Sequence, residues 1–256
     1  MTTKLESDRP DDYLSRLAAS DLGRAYKALV LEQLAVEQGA FVVDLGCGPG
    51  ADLAAFADKV GPGGRVLGID VDTSALDQAG RVAARYAAVS VEQGDAHRLR
   101  LEDRCVDRLH TDRVLQHVAD PSAAVAEIAR VLRPSGVVAL AEPDWDTLVI
   151  DCPDPAIPLA YRSFVTDRVV RNSRIGRALP GLCETHGLTV ARVLPVTAVF
   201  RDVAEADRLF GFARVSRRAV EAGYLSADQA QAWFAHLSSE RLFASVTLFV
   251  TIAEAS

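Results

Sequence analysis

The fold of this chain is decided by residues 41–52, which read Phe41-Val42-Val43-Asp44-Leu45-Gly46-Cys47-Gly48-Pro49-Gly50-Ala51-Asp52. An apolar run ends in an aspartate, three glycines follow at alternate positions, and apolar residues resume at Leu53. This pattern predicts a buried strand, a tight turn and a helix. Glycines let a backbone approach a ligand closely because no Cβ intervenes, and a helix N-terminus offers free N–H groups. The stretch therefore predicts a ligand-binding turn.

Two cofactors match this turn. The letters G-x-G-x-x-A at residues 46–51 satisfy the dinucleotide fingerprint, so an NAD(P)-dependent oxidoreductase is one interpretation. A pyrophosphate needs N–H donors, however, and Pro49 removes one of them. Asp44 and Asp52 also put negative charge where a dinucleotide would bring more. S-adenosylmethionine (SAM) has no phosphate, and its ammonium and sulfonium are positive, so the flanking residues favour SAM.

Motifs along residues 41–146 resemble those of class I SAM-dependent methyltransferases. The order Asp-Leu-Gly-Cys-Gly-Pro-Gly resembles the family's first motif, and Leu-Arg-Pro-Ser-Gly at 132–136 is a further hallmark. Residues 112–121 resemble the post-strand motif of the ubiquinone/menaquinone-biosynthesis-type branch, which carries a methyltransferase type 11 domain. The resemblance implies SAM as cofactor and S-adenosylhomocysteine as product. It also implies methyl transfer to oxygen, nitrogen or carbon of a small molecule, natural-product or quinone-like.

The resemblance also implies roles in cofactor binding. Asp44 faces the methionine ammonium, Asp70 holds the ribose and Asp95 accepts from the adenine amino group. Asp70 lies about 20 residues past the loop, the spacing expected of a ribose-binding acid; for Asp95 a turn aspartate is the alternative. The predicted cofactor-binding set comprises Asp44, Gly46, Cys47, Gly48, Gly50, Asp70, Val71 beside the adenine, Asp95, Ala96, Asp112 and Arg113, with Tyr13 and Arg24 as further candidates from the N-terminal segment.

Three residues are candidates for the chemistry. His117 is the predicted general base, because a neutral imidazole can take the proton that an O–H or N–H acceptor loses. Positioning the acceptor, or packing and capping, are the alternative roles. Glu142 and Asp144 follow a predicted strand, where ligands bind in open α/β sheets; they are candidates to bind a cationic acceptor or act as a base, or are simply turn residues. Trp145 is a candidate to stack on a flat acceptor.

We predict one α/β domain over residues 1–256, with a Rossmann-like, mostly parallel seven-stranded sheet, an antiparallel last strand and helices on both faces. It comprises an N-terminal helical cap (1–38), a SAM-binding core (39–146) and helical lid insertions (147–187 and 202–241). Pro195 suggests a bend or bulge, and Asp72 a helix cap. The predicted strands are 41–44, 65–70, 88–93, 105–111, 137–141, 188–201 and 243–252; the predicted helices are 11–38 with a break at Gly23, 51–60, 74–86, 122–132, 157–170, 174–186, 204–222 and 226–239.

One inserted segment is rich in arginine. Residues 162–177 carry five arginines against a single acid, Asp167. Such a segment is either a clamp for an anionic substrate group or a solvated face.

Composition bounds the remaining possibilities. The 256 residues are 49% hydrophobic with a formal net charge of −7, which supports a sizeable core and disfavours nucleic acid as the partner. The N-terminus does not read as a signal peptide, and no apolar run approaches the ~20 residues of a transmembrane helix. Four scattered cysteines predict no metal site and a cytoplasmic setting. Either a monomer or a homodimer is compatible, as is a SAM-binding relative without methyl transfer, pericyclase-like or regulatory.

Overall fold

The computed structural model describes residues 21–237 and 242–256, which alternate between strands and helices. The strands are β1 (Phe41–Leu45), β2 (Arg65–Asp70), β3 (Val89–Gln93), β4 (Val106–Asp112), β5 (Leu132–Ile150), β6 (Leu188–Phe200) and β7 (Ala244–Ala255). The helices are α1 (Asp21–Leu34), α2 (Leu53–Val60), α3 (Thr73–Ala83), α4 (Pro121–Val131), α5 (Ala156–Phe164), α6 (Ile175–Thr185), α7 (Val203–Phe210), α8 (Phe212–Glu221) and α9 (Ala227–Leu237), and a π-helical turn (Val165–Val169) follows α5.

Within these ranges the strands form one seven-stranded sheet in the order β3-β2-β1-β4-β5-β7-β6. The pairs from β3 to β5 are parallel, whereas β7 is antiparallel to both of its neighbours. Apolar clusters on the two faces join the sheet to α4 and α6 on one side and to α1, α2 and α3 on the other. The predicted Rossmann-like fold with an antiparallel last strand is confirmed.

Strand β4 lies in the middle of the sheet although its sequence is only partly apolar. The Phe41 N–H donates to Asp107 at 2.6 Å, and the Arg108 Nε donates to the Ala35 carbonyl at 3.2 Å. The His110 Nδ1 lies 2.8 Å from the Asp44 Oδ1. Because each of these polar side chains has a partner, a central position costs them little.

Strand β5 is much longer than the predicted 137–141. Residues 133–136, predicted as a turn, form a bulge inside the strand, with Ser135 at a φ of 64°. Beyond Ala141, where the apolar run ends, Glu142 pairs with Phe249 and Asp144 with Thr247 of β7. The prediction that Glu142 and Asp144 follow the strand was therefore wrong, because pairing with β7 carries the ladder through a polar sequence.

Pro195 does not cause the predicted irregularity. It pairs in register with Phe249, and the register shift of β6 falls instead between Val190 and Arg192. Strand β6 is the edge of the sheet and has β7 as its one neighbour. A proline is tolerated there because an edge strand leaves half of its N–H groups without a ladder partner.

Several helix boundaries also differ from the prediction. The predicted helix 204–222 is divided at Gly211, whose φ of 61° ends α7, and the predicted helix 157–170 changes into the π-helical turn after Phe164. The described part of the N-terminal helix is α1; residues 11–20 lie outside the described residues. No helix in the described ranges is long and apolar enough to span a bilayer.

The long ends of β5, β6 and β7 build a third apolar cluster. It joins these strands to α5, α7, α8 and α9 around the buried Trp233 and Tyr161. This cluster lies beyond the parallel strands of the sheet. It therefore forms a second wall, which faces the turn that contains Gly46, Gly48 and Gly50 (the glycine turn).

Candidate active site

A cavity of about 790 Å³ opens at the carboxyl ends of β1, β2 and β4, the edge at which open α/β sheets bind ligands. Its two halves differ in character. The polar half is lined by the glycine turn and by Tyr26, Lys27, Asp44, Asp52, Asp70, Val71, Asp95, Ala96, His97, His110, Asp112 and Arg113. The apolar half is lined by Gln116, His117, Val118, Pro143, Trp145, Val170, Val196, Ala198, Phe200, Leu209, Val246 and Leu248.

The glycine turn needs glycine at two positions for different reasons. Gly46 has a φ of 74°, and a Cβ built there would lie 2.1 Å from the Val114 Cγ2. Gly48 has a φ of 51°, and a Cβ there would meet no atom within 4 Å, because the residue lines the cavity. The first glycine therefore lets the turn pack against the segment after β4, and the second leaves room for a ligand.

Asp70 holds this turn in place. Its Oδ2 accepts the Gly48 N–H at 2.8 Å, and its Oδ1 accepts the Asp72 N–H at 2.9 Å. Asp72 in turn accepts the Ser74 N–H at 2.8 Å, which confirms the predicted cap of α3. Val71 lies at the cavity with its side chain exposed.

Asp95, the residue predicted to bind the adenine, is linked to Asp120 by a histidine that was not identified from the sequence. His97 lies 2.6 Å from the Asp95 Oδ1 through its Nδ1, and its Nε2 accepts the Asp120 N–H at 3.1 Å. The backbone N–H and the ring of His97 hold the pKa of Asp95 below its usual value. Ala96 is buried beside them and lines the cavity. His97 directly follows the Gly-Asp-Ala motif, and this adjacency was the one feature of the sequence that could have identified it as a site residue.

Asp44 and His110 form a buried pair at the floor of the polar half. Burial raises the pKa of Asp44. Burial alone would lower the pKa of His110, but the hydrogen bond and charge of Asp44 outweigh it and raise that pKa. The two side chains are therefore coupled through one buried hydrogen bond.

Helix α1 closes one side of the polar half. The Tyr26 hydroxyl donates to the Asp112 Oδ2 at 2.7 Å, and the Lys27 ammonium lies 3.2 Å from the same oxygen and also pairs with Asp52. Neither Tyr26 nor Lys27 was among the site residues predicted from the sequence. Arg24, the predicted contact, is not among the residues that line the cavity, and Tyr13 lies outside the described residues.

Asp112 and Arg113 begin the segment that follows β4. Arg113 has a φ of 58°, an unusual backbone for a residue with a side chain, and its Nε donates to Asp112 at 2.9 Å. Burial would raise the pKa of Asp112, but the charges of Arg113 and Lys27 hold it well below its usual range. Asp112 is therefore a fixed negative charge at the cavity wall.

His117 lines the cavity between Arg113 of the polar half and Val118 of the apolar half along the segment after β4. The residue as a whole is exposed, whereas its imidazole is partly buried. Partial burial and the nearby charge of Arg113 lower its pKa, so the imidazole is neutral at neutral pH. A neutral imidazole in a cavity can accept a proton.

Glu142 and Asp144 are not among the lining residues, and their side chains are fully buried. Glu142 accepts the N–H groups of Val114 at 2.7 Å, Leu115 at 2.6 Å and Gln116 at 3.3 Å. The geometry of Glu142 therefore suits a structural role, in which it fixes the segment after β4, better than the predicted catalytic role. Burial raises the pKa of Glu142 to about 8.

The arginine-rich segment is tied to the other acids of this region. Arg177 pairs with the buried Asp144 and its NH2 lies 2.8 Å from the Oδ1 of that residue. Arg174 pairs with Asp146 at 2.6 Å. Among the described residues, the arginines of 162–177 do not line the cavity. This position differs from the one expected of a clamp for an anionic substrate group, which was one of the two alternatives for this segment.

Two smaller groups bear on metal and redox chemistry. Ligand atoms of Asp44, Asp52 and His110 lie within 4.8 Å of one another. Two of these residues pair with each other and Lys27 pairs with the third, so the cluster has its counter-charges from the protein. The four cysteines carry free thiols. Burial raises the pKa of Cys47, which suits a packing role at the cavity wall.

Known proteins resemble both the sequence and the fold. The family model described as "Methyltransferase domain" matches residues 37–172. An uncharacterized 37.1 kDa protein in transposon TN4556 of Streptomyces fradiae is 49% identical over 98% of this chain and 73% of its own length. Demethylmenaquinone methyltransferase of Lactobacillus johnsonii is 31% identical, and the match covers 60% of this chain and 62% of the length of that relative.

A solved structure shows the same fold. A putative methyltransferase from Bacillus halodurans superposes with a TM-score of 0.67 at 17% identity, over 90% of this chain and 98% of its own. The family model covers more than half of the chain, and family membership sets the NAD(P) interpretation aside. The chain therefore belongs to the class I SAM-dependent methyltransferases, and its cofactor is SAM.

Proposed function

We propose that this enzyme methylates a nucleophilic oxygen, nitrogen or carbon of a small-molecule acceptor, natural-product or quinone-like, and that His117 receives the acceptor's proton. The observation that carries the proposal is that His117 lines the same cavity as the polar residues of the glycine turn and the apolar residues of β6 and β7. The name of the demethylmenaquinone methyltransferase relative supports a quinone-like acceptor.

The polar half is suited to SAM. The open space at Gly48 and the surrounding carboxylates match a ligand that is cationic and lacks phosphate. In this proposal Asp70 binds the ribose, Asp95 the adenine amino group, and the Asp44 Oδ2 the methionine ammonium. When bound, SAM supplies an electrophilic methyl group that an acceptor displaces in line.

The residues around His117 set its position and its protonation state. Glu142 fixes the preceding backbone through three N–H groups. Partial burial, together with the charge of Arg113, lowers the pKa of the imidazole. The Trp145 Nε1 donates to the Gln116 Oε1 at 2.9 Å, which fixes the orientation of the indole. Such an arrangement positions a proton acceptor without charging it.

We also propose that residues 39–146 bind the cofactor, that 147–187 and 202–241 cover the acceptor, and that 1–38 cap the site. The separate apolar cluster built by β5 to β7 and helices α5 to α9 supports this division. A cytoplasmic setting is likewise proposed, supported by four free thiols.

The test measures release of S-adenosylhomocysteine from SAM with a panel of phenols and amines, for wild type and two matched variants. We expect His117→Asn to lower kcat/KM about 10²–10⁴-fold and to remove the acid limb of the pH profile. His97→Asn, which changes a histidine of the polar half, should weaken SAM binding and keep that limb.

Two outcomes would contradict the proposal. An acid limb that survives in His117→Asn would exclude this residue as the base. Tight SAM binding without product release from any acceptor would favour the alternative of a SAM-binding protein that performs no methyl transfer.

A further inference from the structure

The apolar half of the cavity has one wall made by the sheet. Val196 pairs with Leu248 and Ala198 with Val246 across the β6–β7 ladder. Residues directly opposite each other in a ladder share a face of the sheet, and alternate residues along a strand return to that face. These four side chains therefore form one continuous hydrocarbon surface.

Other residues that line this half are also apolar. They are Leu209 of α7, Val170 after the π-helical turn and Trp145 of β5. The indole N–H of Trp145 is already donated to Gln116, so the ring presents mainly carbon to the cavity. A ligand in this half therefore exchanges water for contacts with hydrocarbon from the sheet and from these residues.

Charged groups are missing from the described lining of this half. Its residues include no aspartate, glutamate, lysine or arginine. Arg113 of the polar half is the cation whose charge acts on His117, and it is paired with Asp112. Arg174 and Arg177 pair with Asp146 and Asp144 and do not line the cavity. A carboxylate or phosphate placed here would lose its hydration without gaining a cation, which is strongly unfavourable.

We infer that the methyl acceptor is an uncharged molecule with an extended apolar body, and that its single polar nucleophile points toward His117. This inference rests on the proposed function, since it assigns the apolar half to the acceptor. It narrows the acceptor to one chemical class and excludes anionic natural products such as sugar phosphates and carboxylic acids.

The test compares 4-alkylphenols of increasing chain length with the same compounds carrying a terminal carboxylate. Binding to the enzyme loaded with S-adenosylhomocysteine is measured by calorimetry, and methyl transfer from SAM is measured separately. Each added methylene of the neutral series should tighten binding about fourfold. The carboxylated partner should bind at least about tenfold more weakly than the neutral compound of equal length.

A pair of variants at Leu209 makes the test directional. Leu209→Lys supplies a cation in the apolar half, whereas Leu209→Met has a chain of similar length without charge and conserves volume. We expect the lysine variant alone to tighten binding of the carboxylated series and to weaken binding of the neutral one.

The two measurements separate the inference from the proposed function. Binding of the neutral series without methyl transfer would support the inference and count against the proposal that the enzyme methylates a phenol oxygen. Methyl transfer with equal or tighter binding of the carboxylated series would support the function and overturn the inference. Absence of binding by both series, or no gain with chain length, would also overturn the inference.

Discussion

Gly46 is the position at which a single methyl group should separate backbone strain from packing. The Gly46→Ala variant adds a Cβ at a φ of 74°, and that atom would lie 2.1 Å from the Val114 Cγ2. The left-handed backbone costs an alanine about 1–2 kcal/mol, and forcing an extra carbon into a packed contact costs about 1–3 kcal/mol more. We therefore expect the free energy of unfolding to fall by about 2–5 kcal/mol.

Gly39 provides the matched control. Its φ is 81°, yet a Cβ there would meet no atom within 4 Å, and the residue does not line the cavity. The Gly39→Ala variant should lose about 1–2 kcal/mol through its backbone alone, with SAM affinity unchanged. In Gly46→Ala, SAM affinity should fall at least about tenfold, because Val114 and the segment that carries His117 must move.

A double-mutant cycle identifies the clash directly. Val114→Ala removes both Cγ atoms, so the double variant should recover about 1–3 kcal/mol relative to the sum of the single changes. Urea unfolding gives each free energy, and calorimetric titration gives SAM affinity. Equal losses in Gly46→Ala and Gly39→Ala, or no coupling between positions 46 and 114, would refute this reasoning.

Two further substitutions test other parts of the site. Asp70→Ala removes the acceptor of the Gly48 and Asp72 N–H groups and should weaken SAM binding about 10–100-fold, as measured by calorimetry. The control variant Asp72→Ala should lose about 1 kcal/mol of helix capping and keep its affinity for SAM. Equal SAM affinity in both variants would contradict the role of Asp70. Glu142 has a pKa raised to about 8 in the folded protein, so folding favours its protonated form, and the stability it contributes below pH 4.5 is lost as pH rises toward 8. Glu142→Gln should therefore gain stability relative to wild type over that interval, by at most about 1.4 kcal/mol per pH unit in urea unfolding, and a difference independent of pH would contradict the shift.

The predictions that held rest on local constraints. A turn that must leave room for a ligand needs glycine, so the strand and turn that begin at Phe41 could be recognised in the sequence. The end of β2 at Asp70 was also predicted correctly, whereas the ribose-binding role of Asp70 stays a prediction. The order of strands and helices followed from apolar periodicity and turn residues. Element ends were less accurate, as at β5, because pairing with β7 overrides a local loss of apolar character.

The predictions that differed involve residues far apart in the chain. Glu142 is positioned by a strand that the sequence ended too early, and its partners are 26 to 28 residues away. The residues next to Glu142 in the sequence indicate neither the identity of its hydrogen-bond partners nor their separation along the chain. The arginines of 162–177 were similarly ambiguous, since only folding brings Arg177 to the buried Asp144.

The sequence was sufficient to predict the cofactor, the family and a mostly parallel seven-stranded sheet with an antiparallel last strand, because each depends on residue types that short backbone segments require. The tertiary structure alone decided the rest of the site. It brought Tyr26 to Asp112 across 86 residues, and it joined β5, β6 and β7 into the wall of the apolar half. Those contacts depend on strand register and helix docking, which are set by packing over the whole chain.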